Sequence, residues 1–89
     1  MRAIDAAGNA YNASMNIARL LRIAVKAAAK VYVVADSSKI GRTALTRFGN
    51  VRDWAGLITD DEVDPTIAEQ LRAAGVSMIV APREAIEVR

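Results

Sequence analysis

The sequence predicts an α/β domain built on a small parallel sheet, and two observations carry that expectation. The run Val31-Tyr32-Val33-Val34-Ala35 is apolar, rich in β-branched types, and passes straight into Asp36-Ser37-Ser38-Lys39. That is the pattern of a parallel strand, buried on both faces, as it emerges into a loop. Residues 54–59 and 76–80 are two further apolar runs of strand length, and between them Asp64-Pro65 starts a helix and Gly75 stops it. A helix between two strands leaves no tight turn, so the strands should run parallel with right-handed crossovers.

The elements follow in order. Ala3-Ile4-Asp5 suits a short edge strand, and Ala6-Ala7-Gly8-Asn9 reads as a turn in which Gly8 takes a positive φ. Residues 14–29 are helical, with Ser14 or Asn12 placed to cap, and Asn16, Arg19, Arg22, Lys26 and Lys30 form one polar stripe. Opposite it, Met15, Ile17, Ala18, Leu20, Leu21, Ala24, Val25, Ala27 and Ala28 cover roughly 200° of the helical wheel, twice the ~100° a surface helix buries. Part of that face should therefore be covered, either by another chain, which predicts self-association through this helix, or by a missing piece of the same fold. The first parallel strand takes residues 31–35. Residues 43–48 then predict one or two helical turns, stopped by Gly49-Asn50, with Leu45 and Phe48 plugging the end of the sheet. The second strand, residues 55–59, ends on Asp60 and Asp61 as the first ends on Asp36. Asp64 caps a helix over residues 65–74, with Ile67, Ala68, Leu71 and Ala74 on one face, and residues 76–80 make the third strand, closed by Pro82. Residues 83–89 add a short strand or stay loose. The sum is a small three-layer, Rossmann-like arrangement.

Composition narrows the function. A chain of 89 residues makes one domain; at that size only about 60% of the unfolded surface is buried, so a partner or a dimer would help. Although 53% of the residues are hydrophobic, no apolar run approaches the ~20 needed to cross a bilayer. No membrane contact is expected, and Met1-Arg2-Ala3-Ile4-Asp5 does not open a signal peptide, so a cytoplasmic location is expected. With neither cysteine nor histidine, thiol and Cys-zinc chemistry is excluded and the commonest general base is missing, which weighs against an enzyme. A net charge of +2 and four aromatics (Tyr11, Tyr32, Phe48, Trp54) are too little for a nucleic-acid surface.

In open α/β sheets, ligands bind outside the carboxyl ends of the strands. Asp36, Asp60 and Asp61 could converge there on a magnesium ion, or could end strands by bonding the backbone two residues on; the structural role is favoured. Lys39 is either an ordinary loop lysine or a cation that meets a phosphate beside backbone amides near Gly41. No phosphate loop, Gly-x-Gly-x-x-Gly or nucleophile elbow occurs. The residues alone thus define an α/β domain with a possible small anion site and no cofactor.

One resemblance goes further. Val33-Val34-Ala35-Asp36-Ser37-Ser38-Lys39-Ile40-Gly41-Arg42, then Leu57-Ile58-Thr59-Asp60, then Leu71-Arg72-Ala73-Ala74-Gly75-Val76 resemble, in that order, the C-terminal sensor domain of DeoR-type bacterial transcriptional regulators. The resemblance implies a fold similar to sugar-phosphate isomerases and a repressor that binds a phosphorylated sugar or related metabolite and forms a homo-oligomer. It places effector contacts at Asp36, Ser37, Ser38, Lys39, Gly41, Arg42 and Asp60. The family's winged helix-turn-helix head and the first half of its sensor domain have no counterpart here, so residues 1–89 read as a partial C-terminal domain. DNA would be contacted only through that absent head. The other readings are an interaction remnant without a ligand and, last, a sugar-phosphate isomerase whose base would be Asp36, Asp60 or Asp61.

Overall fold

Among the described residues six strands divide into two sheets of three, and the division decides which residues can meet. The computed structural model describes residues 3–82. Its elements are β1 (Ala3–Ile4), β2 (Asn9–Asn12), α1 (Met15–Ala27), β3 (Tyr32–Val34), β4 (Thr46–Asn50), β5 (Gly56–Asp60), α2 (Pro65–Ala73) and β6 (Met78–Ala81), with single 3-10 turns at Ser37–Lys39 and Val51–Asp53. Strands β3, β5 and β6 form the expected parallel sheet, in the order β3-β5-β6 and the register Val33↔Leu57↔Met78. The proposed strand or loose end at residues 83–89 lies outside the described residues.

The second sheet is antiparallel, in the order β1-β2-β4, and corrects the expected helix at residues 43–48. In β4, Phe48 and Asn50 are buried while Arg47 is exposed and Gly49 half-buried, an alternation of period two. Leu45, three residues from Phe48, stays 78% exposed, so the pair makes no helical face. Pairing with β2, interrupted by an irregularity between Ala10 and Tyr11, gives the segment backbone partners, whereas a helix of one or two turns has a costly nucleus to overcome.

Strand β3 also differs from expectation. It is an edge strand; the centre of the parallel sheet is β5. Leu57, in the middle of β5, is fully buried, and Ala35, Leu57 and Thr59 on its face share the core with Ala68 and Leu71 of α2 and Ile4, Ala10, Ala18 and Val51 of the other layer. Burying a side chain of the size of Leu57 or Leu71 contributes about 1.5–3 kcal/mol. The opposite face of the sheet is open: Tyr32, Val34 and Ile79 are 54%, 69% and 51% exposed.

The helix boundaries were written locally. Of the two expected capping residues Ser14 is the N-cap, its Oγ accepting from Ile17 N–H at 3.2 Å, while Asn12 Oδ1 accepts from Ser14 N–H at 3.0 Å in the turn before the helix. Asp64 Oδ1 accepts from Thr66 N–H at 2.8 Å, Pro65 opens α2, and Gly75 follows it at φ +94°. Helix α1 packs on β4 and β2, burying Ala18 and half-burying Leu21 and Val25, while Leu20 and Ile23 stay exposed. The surplus apolar face is real.

The first turn is held by Asp5. Its side chain accepts from Ala7 N–H, Asn9 N–H, Asn9 Nδ2 and Tyr11 Oη at 2.8–3.1 Å, and Gly8 turns the corner at φ +91°. Burial acts to raise the Asp5 carboxyl, but the donors from Asn9, Tyr11 and Ala7 together hold it below its ordinary value; the same bond raises the Tyr11 hydroxyl. A depressed folded value means that this contribution to stability is present above the unfolded carboxylate range, near 4, and is lost as the pH falls through the lower folded value. In urea titrations, the stability gap between wild type and Asp5→Asn should accordingly be full at pH 6 and shrink steadily below about pH 4. A gap that stays constant down to pH 2.5 would contradict this account.

Candidate functional site

The carboxyl ends of β3 and β5 lie side by side, and the loop after β3 folds over the end of β5. Register pairing sets Tyr32 beside Gly56 and Val34 beside Ile58, which carries Asp36 toward Asp60. Asp60 is fully buried: its Oδ2 accepts from Ser37 N–H at 2.8 Å and its Oδ1 from Glu62 N–H at 2.9 Å. Asp36 is exposed. It caps the 3-10 turn by accepting from Ser38 N–H at 2.9 Å and from the Ser38 hydroxyl, and its Oδ2 lies 3.7 Å from Lys39 Nζ. The Ser38 hydroxyl holds Asp36 below its ordinary value; slight burial opposes this, the Ser38 amide and Lys39 reinforce it, and Asp60 opposes it. The two strand-ending aspartates therefore play different parts, one internal and one facing outward.

The loop then reaches across to the antiparallel sheet. Gly41 N–H and Arg42 N–H both donate to the carbonyl of Ile4, at 2.6 and 3.1 Å, and Ile40 bridges Ile4 in parallel fashion. Gly41 sits at φ +84°, a conformation that side-chain-bearing residues rarely adopt, so the backbone calls for glycine, while the close approach of Ile67 Cδ1 to a Cβ there would be relieved by a shift of that side chain. The role of Ile4 had no signal in the sequence, since a backbone carbonyl carries no residue identity.

All seven residues expected at the site, Asp36, Ser37, Ser38, Lys39, Gly41, Arg42 and Asp60, belong to this one loop and the strand end beneath it. One detail of the expectation changes. Every backbone N–H from Ser37 to Arg42 is already bonded: to Asp60, to Asp36 Oδ1, to the Asp36 carbonyl, to the Ser37 carbonyl and, twice, to Ile4. The amides near Gly41 do not form an anion cradle. An anion here would meet side chains: the half-buried Lys39 ammonium, the exposed Arg42 guanidinium and the Ser37 hydroxyl. Among the described residues no group of three or more Asp and Glu is arranged to hold a metal ion, and Asp61 is exposed. No described helix is long and apolar enough to cross a membrane.

Comparison with known proteins identifies the family. Residues 1–61, which include every residue of the site, match the family model described as the DeoR C terminal sensor domain. The HTH-type transcriptional regulator GlpR of Haloferax volcanii is 32% identical over 77 residues, which is 86% of this chain and 30% of that protein. The chain thus spans under a third of the length of the curated relative it matches. No solved structure matches it. Both matches are to regulators rather than to enzymes.

Proposed function

The chain belongs to the family of DeoR C-terminal sensor domains, and from that premise we propose that it is the effector-binding and oligomerising part of a cytoplasmic DeoR-type repressor responsive to a phosphorylated sugar or related metabolite. Contact with DNA would belong to a helix-turn-helix head outside these 89 residues. The observation that supports this reading is the loop over β5. Lys39 and Arg42 offer cations for a phosphate, Ser37 offers a hydroxyl, and the exposed Asp36 carboxylate can accept sugar hydroxyls, all on a base fixed by Asp60 and Ile4.

Because the backbone amides of the loop are spent internally, affinity rests on few groups. A site that lacks contacts worth about 4 kcal/mol binds about a thousandfold more weakly, taking a micromolar ligand to millimolar. The test is a nuclear magnetic resonance titration with glucose 6-phosphate, fructose 1-phosphate and inorganic phosphate. Millimolar binding should shift the amides of residues 36–42. Lys39→Ala, which removes a charge-assisted contact of about 1.5–3 kcal/mol, should weaken it by roughly ten- to a hundredfold. Shifts clustering elsewhere, or surviving Lys39→Ala unchanged, would show the placement to be wrong.

A further inference from the structure

At the amino ends of β3 and β5, away from the loop that caps their carboxyl ends, the structure carries an open cavity of about 310 Å³. That is the low end of the ~300–1,000 Å³ found for small-molecule sites, so its occupant should be one small metabolite rather than a nucleotide. Two segments shape it. The end of α1 contributes Val25, and the 3-10 turn that leads into β5 brings Asp53, Trp54 and Ala55 to the other wall. Ala55 N–H donates to the Val31 carbonyl at 2.8 Å, which ties the entrances of the two strands together. Trp54 is held in place: its N–H donates to the Val51 carbonyl at 3.0 Å, its ring stacks on Phe48 with centroids 5.7 Å apart, and the absent side chain of Gly49 leaves room for the indole. The half-buried ring is thus a fixed apolar wall.

The charges in the cavity identify its ligand. Lys30 and Asp53 both line it, yet no ion pair joins them: Asp53 lies 3.9 Å from its neighbour Arg52, and Lys30 has no acidic partner among the described residues. The carboxyl end of α1, whose last carbonyls lack helical donors, adds negative potential on the same side. Opposite charges that share a cavity without touching, beside apolar walls from Val25, Val31, Trp54 and Ala55, offer complementary ends to a zwitterion. We propose that this cavity binds a free α-amino acid with an apolar side chain. Its carboxylate meets Lys30, its ammonium lies between Asp53 and the end of α1, and its side chain rests against Trp54. Both protein charges face solvent, so binding should be weak, with a dissociation constant in the millimolar range. The inference uses none of the effector contacts of the loop after β3.

Trp54 is the single tryptophan of the chain, so its fluorescence reports on this cavity alone. L-Leucine should change the emission saturably and shift the amide resonances of residues 28–31 and 53–55. Lys30→Gln and Asp53→Asn, both at exposed positions, should each weaken leucine by about two- to fivefold with an unchanged circular dichroism spectrum. Two analogues separate the charges. 4-Methylpentanoate, which lacks the ammonium, should bind more weakly than leucine and lose nothing in Asp53→Asn; 3-methylbutylamine, which lacks the carboxylate, should lose nothing in Lys30→Gln. No response to leucine in either readout up to about 50 mM, a response that both substitutions leave unaltered, or 4-methylpentanoate binding as tightly as leucine overturns the proposal. Glucose 6-phosphate should leave the Trp54 emission unchanged. If it also fails to shift residues 36–42 while leucine still binds, the sensor reading is removed and the amino-acid site stands.

Discussion

Leu57→Ala should lower stability by about 2–5 kcal/mol, whereas Val34→Ala, in the neighbouring strand, should change it by less than about 0.5 kcal/mol. Leu57 is fully buried in the central strand β5, and truncating its side chain to a methyl loses the transfer energy of an isopropyl group and leaves a cavity in the core that also holds Ala35, Ala68 and Leu71. Val34 is 69% exposed and leaves nothing to collapse. For a domain whose total stability is of the order of 5–10 kcal/mol, the first change is a large part of the whole. Urea denaturation of the two variants beside wild type measures the contrast; similar losses for both would mean that β3, not β5, is the spine of the sheet.

Asp60→Ala is expected to cost about 2–4 kcal/mol and to loosen the loop after β3 as well. Two backbone donors, Ser37 N–H and Glu62 N–H, lose their acceptor, and each buried donor left without one costs about 1–3 kcal/mol. The Ser37 bond is also what seats the start of the 3-10 turn that carries Lys39. Amide exchange at Ser37 should accelerate even where the protein remains folded, and sugar-phosphate titration should weaken in the same variant. If the variant matches wild type in midpoint and Ser37 stays protected, Asp60 is not the anchor. Asp36→Ala makes a useful contrast, since its side chain is 45% exposed and its bonds stay within its own turn.

These two predictions mark where the sequence was legible and where it was not. The segment β5-α2-β6 could be read with near-correct boundaries because its signals are local: Asp64 caps, Pro65 fits only a first turn, and Gly75 adopts a positive φ that other residues avoid. The turn at Gly8 was legible for the same reason. Whether Val31-Tyr32-Val33-Val34-Ala35 sits at the centre or the edge of a sheet is not a local property. An apolar run reads identically in both places, and only its neighbours decide. Strand β4 was lost because Thr43-Ala44-Leu45-Thr46-Arg47-Phe48 has no strong period, and its pairing partner β2 lies more than thirty residues away. The seven residues expected to lie together do lie together, since strand ends of a parallel sheet converge wherever the sheet forms. The difference between Asp36 and Asp60 was invisible, because both simply end an apolar run; the β3 loop folding over β5 buries one and not the other.

The grip of Gly41 and Arg42 on the Ile4 carbonyl has a mechanical consequence. Ile4 belongs to β1, at the amino-terminal end of the described chain, more than thirty residues before the loop that forms the rest of the site. A ligand that drew Lys39 toward itself would load those two bonds, and through them the first strand, so that occupancy of the loop and the position of the chain's amino-terminal residues become reciprocal variables. Tension applied at either end would be felt at the other, as in a cord passed over a fixed pulley, with Gly41 as the pulley.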